Sequence, residues 1–174
     1  MTTSSFSHSE ENVGSINHIW ERFNPKWELA GVLAGITAGL LALLIAGAVS
    51  VKTGGEWSRP FKFIGAAVYG PTATAYGPFN KAATVGLFLH IILCTVYGLL
   101  FTHLVSEKSR ALSLIILGLV TSYIIWVFSC KLFMPSFDPS LALSLPSFNG
   151  LYLHFLFGGT FGILLTIYRS LLKV

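Results

Sequence analysis

The sequence predicts an all-α integral membrane protein, with four transmembrane helices in a two-plus-two parallel repeat and a short amphipathic helix ahead of them. Three observations point there. First, 53% of residues are hydrophobic and only 10% charged, with a mean hydropathy of +0.72; a soluble domain carries about 25% charged residues. Second, four apolar segments each reach the roughly 20 residues that a helix needs to cross a hydrocarbon core. Third, two of those segments nearly repeat each other 64 residues apart. Gly86-Leu87-Phe88-Leu89-His90, running on to Tyr97-Gly98-Leu99-Leu100, aligns with Gly150-Leu151-Tyr152-Leu153-His154, running on to Phe161-Gly162-Ile163-Leu164. Six of 15 aligned positions are identical, and most others exchange one large apolar residue for another.

The chain divides into a polar N-terminal segment, 1–26, and a transmembrane domain, 27–174. Residues 1–14 are rich in Ser, Thr and Glu, a composition that favours disorder. Ile16, Ile19, Trp20 and Phe23 then fall at i, i+3, i+4 and i+7, one apolar stripe on a short helix. Ser15 suits its start and Asn24-Pro25 its end. Such a helix fits the membrane interface or a docking groove on protein equally well.

The first span runs from Trp27 to Val51, with Glu28 as the only charge at its mouth. Ala46-Gly47-Ala48 resembles a small-residue cleavage site, but the apolar run is longer than a signal h-region and 26 mostly polar residues precede it. A retained helix is therefore expected. Gly31, Gly35 and Gly39 make a double GxxxG row, and Ala30, Ala34, Ala38, Ala42 and Ala46 a second small-residue row beside it. Such rows let helix backbones touch, chiefly inside the chain, with contact to another chain as the alternative. Gly98 in the second span and Gly158, Gly159 and Gly162 in the fourth suit the same role.

The connection from Lys52 to Lys81 is long and contains Gly54-Gly55, Trp57, Pro60, Pro71 and Pro78. Pro60 to Tyr69 is apolar enough for a short interfacial or re-entrant helix, with Pro60 suited to its first turn. The second span, Ala82 to Val105, leads through the polar hairpin Ser106–Arg110 into the third, Ala111 to Phe133. The connection from Met134 to Asn149 precedes the fourth span, Gly150 to Leu172. Trp27, Trp126, Tyr152 and Tyr168 lie toward segment ends, where aromatic belts form.

Both long connections leave odd-numbered spans and so share one membrane face. The hairpin packs Lys108 and Arg110 into five residues, while Lys52, Arg59, Lys62, Lys81 and Lys131 are dispersed over the opposite face. Dense short-loop charge sets orientation, so both termini are expected in the cytoplasm. The formal charge of +4 belongs to segment ends and does not form a nucleic-acid patch.

The candidates for chemistry are few. There is no Walker A loop, HExxH, GxSxG or intramembrane carboxylate pair in the sequence, and proton or ion carriers usually use an acidic residue within the membrane. His8 and His18 belong to the polar segment, and His103 to a span end. His90 and His154 lie about 6–12 Å inside the bilayer at the helical rise of 1.5 Å per residue. Tyr97 and Phe161, seven residues further on, share their faces. Imidazole facing lipid is costly, so both rings should point inward. The pair admits four roles. These are hydrogen bonds between helices, bis-histidine haem b ligation, a quinone or lipid-headgroup pocket with Tyr97 and Phe161, and a copper site with Cys94 as a soft ligand. Gly158 replaces Cys94 in the fourth span, so that thiol is not duplicated. Neither Cys94 nor Cys130 suggests a disulfide framework or structural zinc.

A glycine-rich first helix, a Trp/Pro-containing loop with a short apolar stretch, and later helices in which His is followed by Gly together resemble small uncharacterised bacterial inner-membrane proteins. The resemblance implies four helices and a bacterial inner (cytoplasmic) membrane, and no chemistry. The expected role is a non-catalytic accessory or assembly subunit among other membrane subunits, because the connections are unusually apolar: Phe61, Phe63, Ile64 and Tyr69 in one, Met134, Phe137, Leu141, Leu143 and Phe148 in the other. A contiguous apolar patch of more than a few hundred Å² usually marks a contact site. The alternatives are an electron-transfer protein using His90 and His154, and a small transporter or channel-like protein.

Topology gives the first test. With Ser5→Cys and Ser140→Cys introduced singly, a membrane-impermeant thiol reagent should reach the two positions from opposite sides. Labelling of both from one side would contradict four spans.

Overall fold

The computed structural model describes residues 24–133 and 147–174. The expected helix over 16–23 and the connection 134–146 lie outside the described residues. Helix α1 is Pro25–Lys52, α2 Arg59–Tyr69, α3 Lys81–Leu104, α4 Ala111–Trp126 and α5 Ser147–Leu171. A short 3₁₀ turn, Pro71–Thr74, follows α2, and a π-helical stretch, Val127–Phe133, continues α4. No strand occurs among the described residues. Four helices are long and apolar enough to cross a membrane: Pro25–Lys52, Lys81–Leu104, Ala111–Leu132 and Gly150–Leu171. The fold is that of a multi-pass membrane protein.

Local sequence sets the helix starts. The Asn24 side chain accepts hydrogen bonds from the Lys26 and Trp27 amides, with Pro25 in the first turn. Asn80 does the same for the Ala83 amide of α3 at 3.0 Å. Gly70 ends α2 at φ 75°, in the left-handed region that favours glycine.

The bundle is built from close pairs. Helix α1 packs on α3 and on α5, α4 packs on α5, and α2 lies against α3. Between α1 and α3 the backbones touch. A Cβ at Gly31 would fall 2.6 Å from the Gly98 carbonyl oxygen, one at Gly35 would run into the Cys94 carbonyl, and one at Gly39 into the Cys94 sulfur. The α4–α5 pair works alike: a Cβ at Gly118 or Gly158 would strike the other's carbonyl, and one at Gly162 would lie 2.6 Å from Ile115 Cα. The α1 glycine row is thus spent within the chain. Its alanine row is buried from Ala30 to Ala42, with Ala30, Ala34 and Ala38 clustering with Phe101, Leu114, Phe161 and Leu165. Lipid tails are as apolar as these side chains, so close van der Waals packing, and not transfer out of water, holds such helices together.

The end of the bundle that carries the 105–110 hairpin is closed by hydrogen bonds to carbonyls that have no intrahelical partner. Trp27 Nε1 donates to the carbonyls of Thr102 (3.0 Å) and Val105 (3.1 Å). Arg169 donates to those of Glu107 (2.7 Å) and Ser109 (2.6 Å), and the Asn24 amide donates to the Glu107 carboxylate. The first and last spans are thereby tied to the hairpin between the middle two.

One pair of contacts gives a sharp test. Gly39 faces Cys94 across α1–α3, while Ser122 faces Gly158 across α4–α5, so each contact pairs one glycine with one small polar side chain. Gly39→Ser alone should destabilise by about 1–3 kcal/mol, the usual cost of overpacking. Adding Cys94→Gly should recover most of that loss. Unfolding of the single and double variants in mixed micelles checks it, and additive losses would contradict the contact.

Candidate functional site

His90 enters the bundle from α3 and reaches α1. Its Nε2 lies 3.0 Å from the Gly39 carbonyl oxygen. A carbonyl can only accept, so this nitrogen carries the proton and donates. Gly39 eases the approach, since a Cβ there would crowd the same Nε2 at 3.1 Å. Cys94 Sγ sits 3.6 Å from that nitrogen, one turn along α3, and the residue is buried.

His154 makes a different bond. Its Nδ1 lies 2.8 Å from the carbonyl of Gly150, one turn back on α5, and by the same logic Nδ1 is the protonated nitrogen. Both rings are part-buried. The two histidines therefore occupy matching places in the sequence but are different tautomers.

Tyr97 and Phe161 pack on each other. Their ring centroids are 4.8 Å apart at 70°, and Phe101 meets Phe161 at 4.9 Å and 78°, edge-on geometries that aromatic rings favour. Phe157 adds a contact to Tyr97 at 5.1 Å. Thr121 Oγ1 spends its proton on the Leu117 carbonyl at 2.7 Å and so accepts from the Tyr97 hydroxyl, also at 2.7 Å. The cluster fills the space between α3 and α5 and ties α3 to α4. Of the other residues singled out in the sequence, Gly31 and Gly98 meet each other, and Gly158 and Gly162 serve the α4–α5 contact.

The most buried charge among the described residues was not legible in the sequence. Lys62, on α2, is wholly inaccessible to solvent. Its ammonium donates to the Glu56 carboxylate at 2.5 Å and to the carbonyls of Gly77 at 2.8 Å and Ala75 at 3.0 Å. These acceptors match its three donors. The second Glu56 oxygen accepts from the Gly77 amide at 2.7 Å. Ser50 at the end of α1 donates to the Glu56 carbonyl at 2.8 Å, and Phe61 meets Phe79 edge-on at 5.6 Å. The connection 53–80 is thus a folded cap whose organising group is one ammonium. Val68, Tyr69 and Tyr76 are exposed on it, Tyr76 at 84%, while Trp57 and Phe79 are half-exposed, the Trp57 ring lying over Gly47 and Phe79 against Phe61.

Among the described residues no group of three or more His, Cys, Asp or Glu side chains is placed to hold a metal ion. No protein-family model, curated protein or solved structure matches the chain.

Burial works to raise the Glu56 pKa, but the Lys62 hydrogen bond, the Gly77 amide and the Lys62 charge outweigh it and hold the carboxyl below its ordinary value of 4.5. A depressed carboxylate pKa contributes stability that is fully present above the unfolded value and is lost as pH falls through the folded one. The cap should therefore resist proteolysis at neutral pH and become cleavable by an acid protease below the ordinary carboxylate range. At neutral pH Lys62→Met leaves a carboxylate without its ammonium and should cost about 3–5 kcal/mol. Limited proteolysis between residues 53 and 80 checks both, and an equally resistant Lys62→Met chain would contradict the lock.

Proposed function

We propose that this protein is a non-catalytic accessory or assembly subunit of a larger membrane complex, seated in a bacterial inner membrane with both termini in the cytoplasm. One observation carries the proposal: a buried ammonium fixes a cap that leaves Trp57, Tyr69, Tyr76 and Phe79 partly or largely exposed. Taking a charge out of water is costly and is repaid only by complete hydrogen bonding. Its effect here is to make a rigid surface from a connection that would otherwise be loose. Rigid surfaces rich in Tyr, Trp and Phe suit protein contacts, because little conformational freedom remains to be lost on binding.

The histidines fit this role as structural groups, each donating to a backbone carbonyl. A bis-histidine haem gains less support, because the Nε2 of His90 is already engaged by Gly39. We also infer that the bundle is a parallel repeat of two antiparallel pairs. In support, Gly35 meets Cys94 and Gly98, while Gly118 meets Gly158 and Gly162, the second set lying at the repeat offset on α5. The exchange of Gly39 and Cys94 for Ser122 and Gly158 follows the same correspondence.

Extraction from native membranes in mild detergent, followed by native electrophoresis, tests the role. The chain should co-migrate with larger polypeptides, and Tyr76→Glu, which alters only an exposed side chain, should release it. Migration of the unsubstituted chain as a lone 18.9 kDa polypeptide plus detergent would overturn the subunit role.

A further inference from the structure

Helix α2 is inside out for a helix facing water. On an aqueous surface a helix turns its apolar stripe inward and its charges outward. In α2 the buried positions are Phe61, Lys62, Gly65 and Ala66, so the charge in its middle is turned inward, onto Glu56. The opposite stripe is Pro60, Phe63, Ile64 and Ala67, at i, i+3, i+4 and i+7. All four are apolar; Ala67 is exposed and the other three are half-exposed. Two neighbours set the depth of this stripe. The α2 backbone runs antiparallel to α3 in direct contact: a Cβ on Gly86 would strike the Phe61 carbonyl, and one on Gly65 the Ala82 carbonyl. Phe61 therefore lies level with Gly86, five residues into the helix that starts at Lys81, or about 7.5 Å at 1.5 Å per residue. On α1 the Trp57 ring covers Gly47, again five residues from the helix end, at Lys52. The chain thus descends after α1 and climbs back through α2 before α3 begins.

We propose that α2 is a re-entrant helix whose outward stripe is covered by lipid acyl chains, with its Arg59 end deepest and Tyr69 at the headgroups. Continuity with the spans selects lipid as the occupant. Near the same level α1 and α3 turn large apolar side chains outward, Leu44 at 50% and Phe88 at 62% exposed, and the α2 stripe extends that belt. The polar groups fit the same medium. Irregular backbone is tolerated at membrane depth only where protein satisfies it, and Lys62 engages the Glu56 carboxylate and the carbonyls of Ala75 and Gly77. Arg59, at the deep end, lies over the Phe63 ring at 5.6 Å and extends its guanidinium beside Gly55, whose amide is bonded to Ser50 near the end of α1. Long basic side chains lie along apolar surface in this way while carrying their charge toward water. Tyr69, at the other end, is of the type that concentrates at headgroup level. The lipid contact is independent of the subunit role and leaves Tyr76, beyond α2, for a protein partner.

The test places the purified full chain, alone, in vesicles of phosphatidylethanolamine and phosphatidylglycerol. A spin label is attached at Ala67→Cys or Ile64→Cys, with Cys94→Ser and Cys130→Ser removing the native thiols. Oxygen, which concentrates in hydrocarbon, should relax the label at 67 more than a water-soluble nickel chelate does, and the margin should widen at 64, nearer the deep end. A label at 67 that favours the chelate puts α2 in water, one shielded from both puts it under protein, and a margin no wider at 64 removes the re-entry; each would overturn the proposal. The unsubstituted chain gives a second reading that needs no variant to fold. A phospholipid with a diazirine on its acyl chain should label residues 59–69 as well as the four spans, and spans labelled without 59–69 would overturn it too.

Discussion

Direct backbone contact between helices is the constraint on which this structure depends. In hydrocarbon there is no water to expel, so a helix pair gains stability by approaching until the backbones meet. Glycine permits that approach at Gly31, Gly35 and Gly98 in the α1–α3 pair and at Gly118, Gly158 and Gly162 in the α4–α5 pair. The other features follow from it. His90 reaches the Gly39 carbonyl at a place where a Cβ on residue 39 would crowd its ring at 3.1 Å. Helices α3 and α5 do not themselves approach so closely, and the gap between them is filled by the rings of Tyr97, Phe101, Phe157 and Phe161.

The two ends of the bundle solve the same problem by different means. At the hairpin end, Trp27 and Arg169 donate to carbonyls at and beyond the end of α3. At the other end, Lys62 gathers a carboxylate and two carbonyls from a loop that would otherwise carry unpaired backbone groups near the membrane. Both ends are closed by one or two long side chains, each reaching two or more backbone carbonyls. The closure at Lys62 also presents an aromatic surface, and this joins the packing of the bundle to the proposed role.

The sequence announces the features that depend on local composition. Length and apolarity mark the four spans, and the glycine spacing on α1 marks a contact face, because both are set by the helix's own geometry. Pro60 to Tyr69 reads as a helix for similar reasons and forms α2. The sequence does not announce features that depend on the course of a loop or on a partner helix. Nothing near Lys62 shows that Ala75 and Gly77 will turn their carbonyls toward it. The matched histidines read as equivalent, yet one bonds across to the Gly39 carbonyl on α1 and the other to the Gly150 carbonyl on its own helix. Gly158 reads as a packing residue, but Ser122 as its partner was hidden, since Ser122 does not stand out until the helices are paired.

The most direct test of the account is the stability of chains in which a side chain is forced between paired backbones. Gly35→Leu and Gly118→Leu should each lower the free energy of unfolding in mixed micelles by at least the roughly 1–3 kcal/mol of an overpacked contact. Val120→Leu, at an exposed position on α4, should leave it unchanged. Unfolding curves for the two glycine variants that superimpose on the parent's would contradict the claim that these glycines are where the helices meet.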